Sequence, residues 1–259
     1  MKRALCGLLA AVSLSLPARA ARTIPVQIDG ALLSGRSYVD SGVTYVPLRT
    51  LLDTLGGWEI RWDAIEKIAV ATSAQHALSA DPDENRLTVN GTDYEGRVTV
   101  ENGRTYVPLR LLAEALGGSA EWDPYMGGAA MTSPNAAYNA VDLYWLSRII
   151  SAESGAEPLN GQIAVGNVVL NRVASDTFPN TIPAVIFDRN FAVQFEPVEN
   201  GTVYNSPTPQ AITAAKQALD GESVVGRALY FYAPALSQGI WINANRSYLT
   251  TIGCHRFYL

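Results

Sequence analysis

The chain has little of what thiol, redox or metal chemistry needs: two cysteines and two histidines in 259 residues. Cys6 lies in the apolar run near the N-terminus, so a chain that loses this run keeps only Cys254 and can form no intramolecular disulfide. His76 and His255 fall in different halves, too few and too far apart for the ligand set of a zinc peptidase or amidase. Cys254 and His255 look like a nucleophile beside its base, but neighbours on an extended strand point to opposite faces. The chain also lacks a Gly-x-Ser-x-Gly elbow and a phosphate-cradling glycine loop. No metal and no cofactor are expected.

Charge is sparse as well, at 17% against 48% hydrophobic residues, a balance that fits foldable protein and excludes disorder as the default. The formal net charge is −5, and losing the three cations Lys2, Arg3 and Arg19 with a leader takes it to −8. Nucleic acid is therefore not an expected partner, and an anionic polymer would have to be held by local contacts. Long apolar runs are absent after the N-terminus. There, Lys2 and Arg3 precede Ala4 to Leu16, and Ala18-Arg19-Ala20 offers the small-x-small pattern of a cleavage site. Residues 1–20 read as a signal peptide, too short to span comfortably, with no transmembrane segment expected after its removal.

What is present is, first, a repeat. GVTYVPLRTLLDTLGG (Gly42 to Gly57) recurs as GRTYVPLRLLAEALGG (Gly103 to Gly118), about 61 residues on, and Trp62-Asp63 recurs as Trp122-Asp123. Alternating short strands with turns such as Asn102-Gly103 open each unit. A short helix follows, with Pro47 or Pro108 at its start, Leu48, Leu51, Leu52 and Leu55 (Leu109, Leu112 and Leu116 in the second copy) on one face, and Gly56 or Gly117 at its end. The repeat domain spans 24–133, and the polar, proline-containing stretch Thr132 to Ala137 marks a boundary. Arg49, Arg110, Trp62 and Trp122 could line a sugar-binding face, although core tryptophans and solvated arginines are the commoner outcome.

The second half, 137–259, is organised around Tyr144 to Ala174, where two apolar helical segments flank a tight acidic turn. Leu146, Ile149, Ile150 and Ala152 follow helical spacing, so Glu153 is carried at the rim of a buried face, where a carboxyl keeps its proton longer than in water. Glu157 precedes Pro158 at the start of the next segment and reads as a structural cap. In that segment Gly166 shares a face with Ile163 and Leu170 and lets another element approach closely. Further on, Phe191 to Val198 reads as extended, Ala211 to Leu219 as helix, and Ala228 to Tyr232 and Arg256 to Tyr258 as strands. Tyr204, Tyr230, Tyr232, Trp241 and Tyr248 offer a sugar-stacking cleft, with core filling as the competing role for part of them.

SRIISAESGAEPLNGQIAVGNVVLNR (Ser147 to Arg172) resembles the signature run of the SleB/CwlJ-type cell-wall hydrolases of spore-forming bacteria. The resemblance continues through FPNTIPAVIF, QFEPVENG, AAKQALDGE, ALYFYAP and the terminal IGCHRFY, with departures at Gly155-Ala156 and Ala233. It implies an α+β fold, a small lysozyme-like or lytic-transglycosylase-like domain following a β-rich tandem-repeat domain with short helices. It also implies peptidoglycan glycan strands as partner and a secreted location at the cell wall or spore envelope. Glu153 then takes the role of catalytic acid, and Gln194, its neighbour Phe195, and His255 become substrate contacts beside Tyr230, Tyr232 and Trp241. Glycosidic cleavage needs a carboxyl of raised pKa. Hydrolysis usually needs a second carboxylate, for which Glu196 is the candidate, whereas lytic transglycosylation uses a hydroxyl of the muramic acid itself. The alternatives are a hydrolytic muramidase and a non-catalytic wall-binding protein. The repeats resemble the stalk-like domain named after the N-terminal domain of copper amine oxidases, which implies spacing or wall attachment. With no histidine cluster in the chain, neither copper nor amine oxidation follows from that name.

Overall fold

The computed structural model describes residues 21–190 and 193–259. The signal-peptide reading of residues 1–20 lies outside them, as do Phe191 and Ala192 within the stretch read as extended.

The sequence repeat becomes a structural one. Val43–Pro47 and Arg104–Pro108, the TYVP strands of the two units, lie antiparallel with Val46 opposite Val107, so the two copies meet about an approximate two-fold axis. They form the centre of a five-stranded sheet completed by Arg22–Ile24, Ser37–Asp40 and Thr99–Glu101. Each TYVP strand runs into a helix, α1 (Leu48–Leu55) or α2 (Leu109–Ala115), with Pro47 or Pro108 at the N-cap. Gly56 and Gly117 follow the helices in the left-handed half of φ, at 75° and 87°. The tryptophan strands, Glu59–Asp63 and Ser119–Asp123, each pair with the strand that follows. In the second copy the N-terminal strand Val26–Ile28 joins that ladder in parallel. Leu48, Leu51, Leu52, Leu109 and Leu112, all fully buried, fill the core between the layers.

The C-terminal half is built on α3 (Ala140–Ser154), α4 (Leu159–Val173) and α7 (Pro209–Leu219), with short helices α5 (Ile182–Ile186), α6 (Glu196–Asn200) and α8 (Ile240–Asn245) around them. Asn139 caps α3, its Oδ1 accepting from the amides of Val141 and Asp142. Nearly every residue of α3 from Ala140 to Ile150 is buried, because α4, α7, α5, the turn Thr202–Tyr204 and the repeat-domain strand Gly128–Thr132 pack around it. Gly166 is where α4 meets both neighbours. A Cβ there would lie 2.9 Å from Ile150 Cδ1 and 3.2 Å from Ala218 Cβ. A three-stranded sheet, Tyr230–Tyr232, His255–Tyr258 and Tyr248–Ile252, closes the domain. The architecture is α+β, as the sequence leads one to expect.

One local reading needs correction. Phe191 to Val198 is not extended throughout, since Glu196 begins α6, with Pro197 in its first turn and left-handed Gly201 after its end. The helix Ile240–Asn245 and the strand Tyr248–Ile252 carry no strong periodicity and went unread. The boundary between the two halves is closely packed. Trp145, with no exposed surface, donates its indole N–H to Asp123 Oδ2 at 2.7 Å. Tyr125 stacks on Phe187 at 4.4 Å, and Ala130 of the repeat domain belongs to the C-terminal core.

Candidate functional site

The site begins where α3 ends. Glu153 sits in its last turn, half-buried, and burial pushes its carboxyl up to about 7, with the nearby Glu196 carboxylate adding to the rise. The Arg172 guanidinium opposes this from the last turn of α4. Arg172 is itself buried, and its own pKa is lowered by that burial to about 10, while Tyr230, Asp188 and Glu153 hold it up. Its Nε donates to the Leu229 carbonyl at 2.8 Å, and its Cζ lies 5.0 Å, 5.1 Å and 5.7 Å from the ring centres of Phe178, Phe195 and Tyr230. The result is a carboxyl that is about half protonated near neutrality, and a buried cation that favours the anion once the proton has left.

The turn after Glu153 keeps this geometry. The Glu157 amide bonds the Ser154 carbonyl at 2.9 Å. A Cβ at Gly155 would fall 2.5 Å from the Ser151 carbonyl oxygen, so the departure from the family run at this point leaves glycine where the backbone requires it. Glu157 does not cap α4, which has no side-chain cap. Its Oε2 instead accepts from the Cys254 amide at 2.9 Å, and Oε1 lies 3.9 Å from His255 Nδ1. Gly253 is packed so tightly on it that a Cβ would overlap Oε2. Glu157 is a latch between the start of α4 and the C-terminal hairpin.

Two of the expected aromatics, Tyr230 and Trp241, come together with ring centres 6.2 Å apart. Arg246 lies over Tyr230 at 4.4 Å and over Trp241 at 4.9 Å, and its Nη2 donates to the Tyr230 hydroxyl at 2.9 Å. Trp241 is 58% exposed. Through Arg172, Tyr230 links this wall to Glu153. Gln194 is half-buried just before α6. Phe195 is buried under Arg172, and so supports the cation from below instead of facing a ligand. Tyr232 turns toward Tyr258, its hydroxyl accepting from Asn243 Nδ2 at 2.9 Å. His255 is buried edge-on to Phe231, with burial depressing its pKa against the pull of Glu157, so it too lies behind the surface. None of the five cleft candidates is buried, but Tyr204 packs over Trp145 and Phe187. Sequence reasoning missed Arg172 and Arg246. The first had a signal, an arginine in register with Val165, Val168 and Val169 on an apolar helical face, where a cation has to have a purpose.

The described residues of the N-terminal domain offer no ligand set for the metal that its resemblance brings to mind. His76 stacks on Trp58 and shares its Nδ1 with Asn90 at 3.0 Å, and among the described residues no three His, Cys, Asp or Glu side chains converge. The residues present do not fit copper.

The chain thus joins a β-rich repeat domain to a helical domain whose core carries the raised carboxyl of Glu153 beside arginines and aromatics. The Cell Wall Hydrolase family matches residues 156–258, and the Copper amine oxidase N-terminal domain matches residues 27–134. A spore cortex-lytic enzyme of Bacillus cereus is 36% identical over 143 residues, covering 54% of this chain and 52% of that one. A spore cortex-lytic enzyme of Halalkalibacterium halodurans is 34% identical over 126 residues, 49% of this chain and 37% of that one. The catalytic domain of the germination-specific lytic transglycosylase SleB from Bacillus anthracis, a solved structure, is 36% identical, with a TM-score of 0.44 over 49% of this chain and 99% of that domain. The C-terminal half carries a cell wall hydrolase domain, with a copper amine oxidase N-terminal-like domain before it. It spans about half the length, or less, of the curated relatives it matches. Glu153 lies three residues ahead of the matched hydrolase span, whereas Glu157 and Glu196 lie within it.

Proposed function

We propose that this protein is an exported enzyme that cleaves the glycosidic bond between muramic acid and glucosamine units of peptidoglycan, acting as a lytic transglycosylase with Glu153 as its acid and then its base. The observation that carries this reading is the pairing of a half-buried Glu153, its proton held to about pH 7, with the buried Arg172 cation and the Tyr230–Arg246–Trp241 wall. The names of the relatives, spore cortex-lytic enzymes, support the substrate class. Glu153 gives its proton to the glycosidic oxygen, and the leaving sugar departs as an alcohol. The developing positive charge at the anomeric carbon faces the new Glu153 carboxylate. The C6 hydroxyl of the same muramic acid then attacks that carbon, and Glu153 takes back the proton, leaving a 1,6-anhydro end and a regenerated acid. Arg172 assists by stabilising the carboxylate between the two transfers.

Hydrolysis is the second reading, and the proximity of Glu196 favours it, since its charge is felt at Glu153. A water activated by Glu196 would leave a reducing end instead. Incubating glycan strands with the full chain and weighing the new ends by mass spectrometry separates the two. Anhydro ends support transglycosylation, reducing ends support hydrolysis, and no new ends on any glycan substrate would reject both.

A further inference from the structure

The approximate two-fold axis of the repeat domain generates two grooves of the same build. Each is floored by the tryptophan strand of one unit, flanked by the first turn of that unit's helix, and closed by the hairpin turn of the other unit. One contains Arg49, Arg61, Trp62 and Arg104 in a cavity of about 450 Å³. The other places Arg110, Glu121, Trp122 and Val43 at the equivalent positions, in about 200 Å³. Both tryptophans are open to solvent, at 45% and 44% exposure, each opposite a buried alanine of the paired strand, Ala69 or Ala129. A large aromatic left exposed at the same position in both units, and set in a groove, has the geometry of a stacking platform.

The grooves differ in charge. Where the second has one arginine, one glutamate and a valine, the first has three arginines, and only Arg61 is committed to an ion pair, with Asp63 at 2.9 Å. Arg49 donates through Nη2 to the Ile60 carbonyl at 3.0 Å, which holds its guanidinium against the tryptophan strand. In a chain of net charge −5 this is a local reversal of sign beside an exposed indole. We infer that the Trp62 groove binds an anionic glycan strand, its sugar rings stacked on Trp62 and its negative groups paired with Arg49 and Arg104. We assign those groups to the free carboxylates of peptidoglycan peptide stems. The Trp122 groove lies beside the C-terminal domain, where Glu121 accepts from Asn139 at the head of α3, and its neutral character leaves it without this role. The assignment of peptidoglycan as the strand rests on the function proposed above.

The test uses the full chain in a Glu153→Gln background, so that insoluble sacculi survive the incubation, and reads the fraction that sediments with them. Trp62→Ala should weaken binding about tenfold, and Arg104→Val, which only installs the residue of the other groove, about three- to tenfold with a shallower salt dependence. Trp122→Ala should leave binding unchanged. Sacculi whose carboxyls have been amidated should lose most binding, while sacculi stripped of phosphate-bearing polymers should keep it. Equal binding by parent, Trp62→Ala and Arg104→Val, with each variant shown to be folded, would overturn the site. Loss of binding on phosphate stripping alone would overturn the carboxylate. Failure of the function reading shows separately, as the absence of new chain ends from the full chain with Glu153 restored.

Discussion

Glu153 is a carboxyl whose titration the fold moves far from its ordinary range. Glu153 has a folded value of about 7 against an ordinary 4.5, so the folded chain binds this proton more tightly than the unfolded chain does. The stability that goes with it is complete below about pH 4.5 and is lost as the pH rises to about 7, because the ionised group is then left half-buried beside Glu196. Glu153→Gln keeps the shape and stays neutral. It should cut cleavage by roughly 10²-fold or more, and melt at a higher temperature than the parent above about pH 7, with the gap closing toward pH 4.5. A melting gap independent of pH would mean that Glu153 titrates normally. The parent's turnover should fall as pH passes about 7, where the acid form disappears. Glu196→Gln removes a charge that raises Glu153, so it should move that fall to lower pH, by less than about one unit, with much of the turnover retained. Abolished turnover in this variant would instead make Glu196 the second carboxylate of a hydrolase.

At the level of elements, the latch between α4 and the C-terminal hairpin decides whether the aromatic wall stands where it does. Tyr230 lies on the strand that pairs with His255–Tyr258, and that strand is tied to the start of α4 by Glu157. Glu157→Gln retains an oxygen for the Cys254 amide and loses only charge. Turnover should persist, with stability lower by about 1 kcal/mol in denaturant melts. Gly253→Ala is different in kind, since φ is +58° and the added Cβ overlaps Glu157 Oε2. It should cost more than about 2 kcal/mol and weaken glycan binding along with it, and a near-neutral result would show that the latch is dispensable. This latch marks the limit of what the residues disclosed. Periodicity located α3 and α4, the repeat located α1, α2 and the tryptophan strands, and the rim position located Glu153, because each is a local pattern. The role of Glu157 depends on a contact with Cys254, 97 positions away, and no local signal distinguishes a latch from a cap. The same holds for His255 and Phe195, which look like ligand contacts in a motif and are buried supports in space. It holds again for Arg246, which gains its meaning only by lying over Tyr230 and Trp241.

Across the whole molecule, the repeat has diverged at one turn to hold the second domain. Asp63 and Asp123 occupy equivalent positions, and each caps its turn, accepting through Oδ1 from the amides two and three residues on. Asp63 spends its other oxygen on the exposed Arg61, while Asp123 is buried and gives its Oδ2 to Trp145. Around that bond, Leu143 presses on Gly30, Tyr125 stacks on Phe187, and the Ala140 amide donates to Thr132 Oγ1. A boundary this well packed should transmit unfolding from one half to the other. Trp145→Phe leaves the Asp123 oxygen buried without its donor and should cost about 1–3 kcal/mol. The full chain should melt in one calorimetric transition, and Trp145→Phe should split it into two as the coupling between the halves fails. A chain cut to 137–259 would expose Trp145 and Phe187 and lose on the order of 3 kcal/mol, about 10 °C in melting temperature for a domain of this size. It should still cleave soluble glycan while folded, because Glu153, Arg172 and the Tyr230 wall all belong to it. Two transitions in the parent would show that the halves are joined without being coupled. A folded but inactive 137–259 would show that the repeat domain holds the active site in shape through α3.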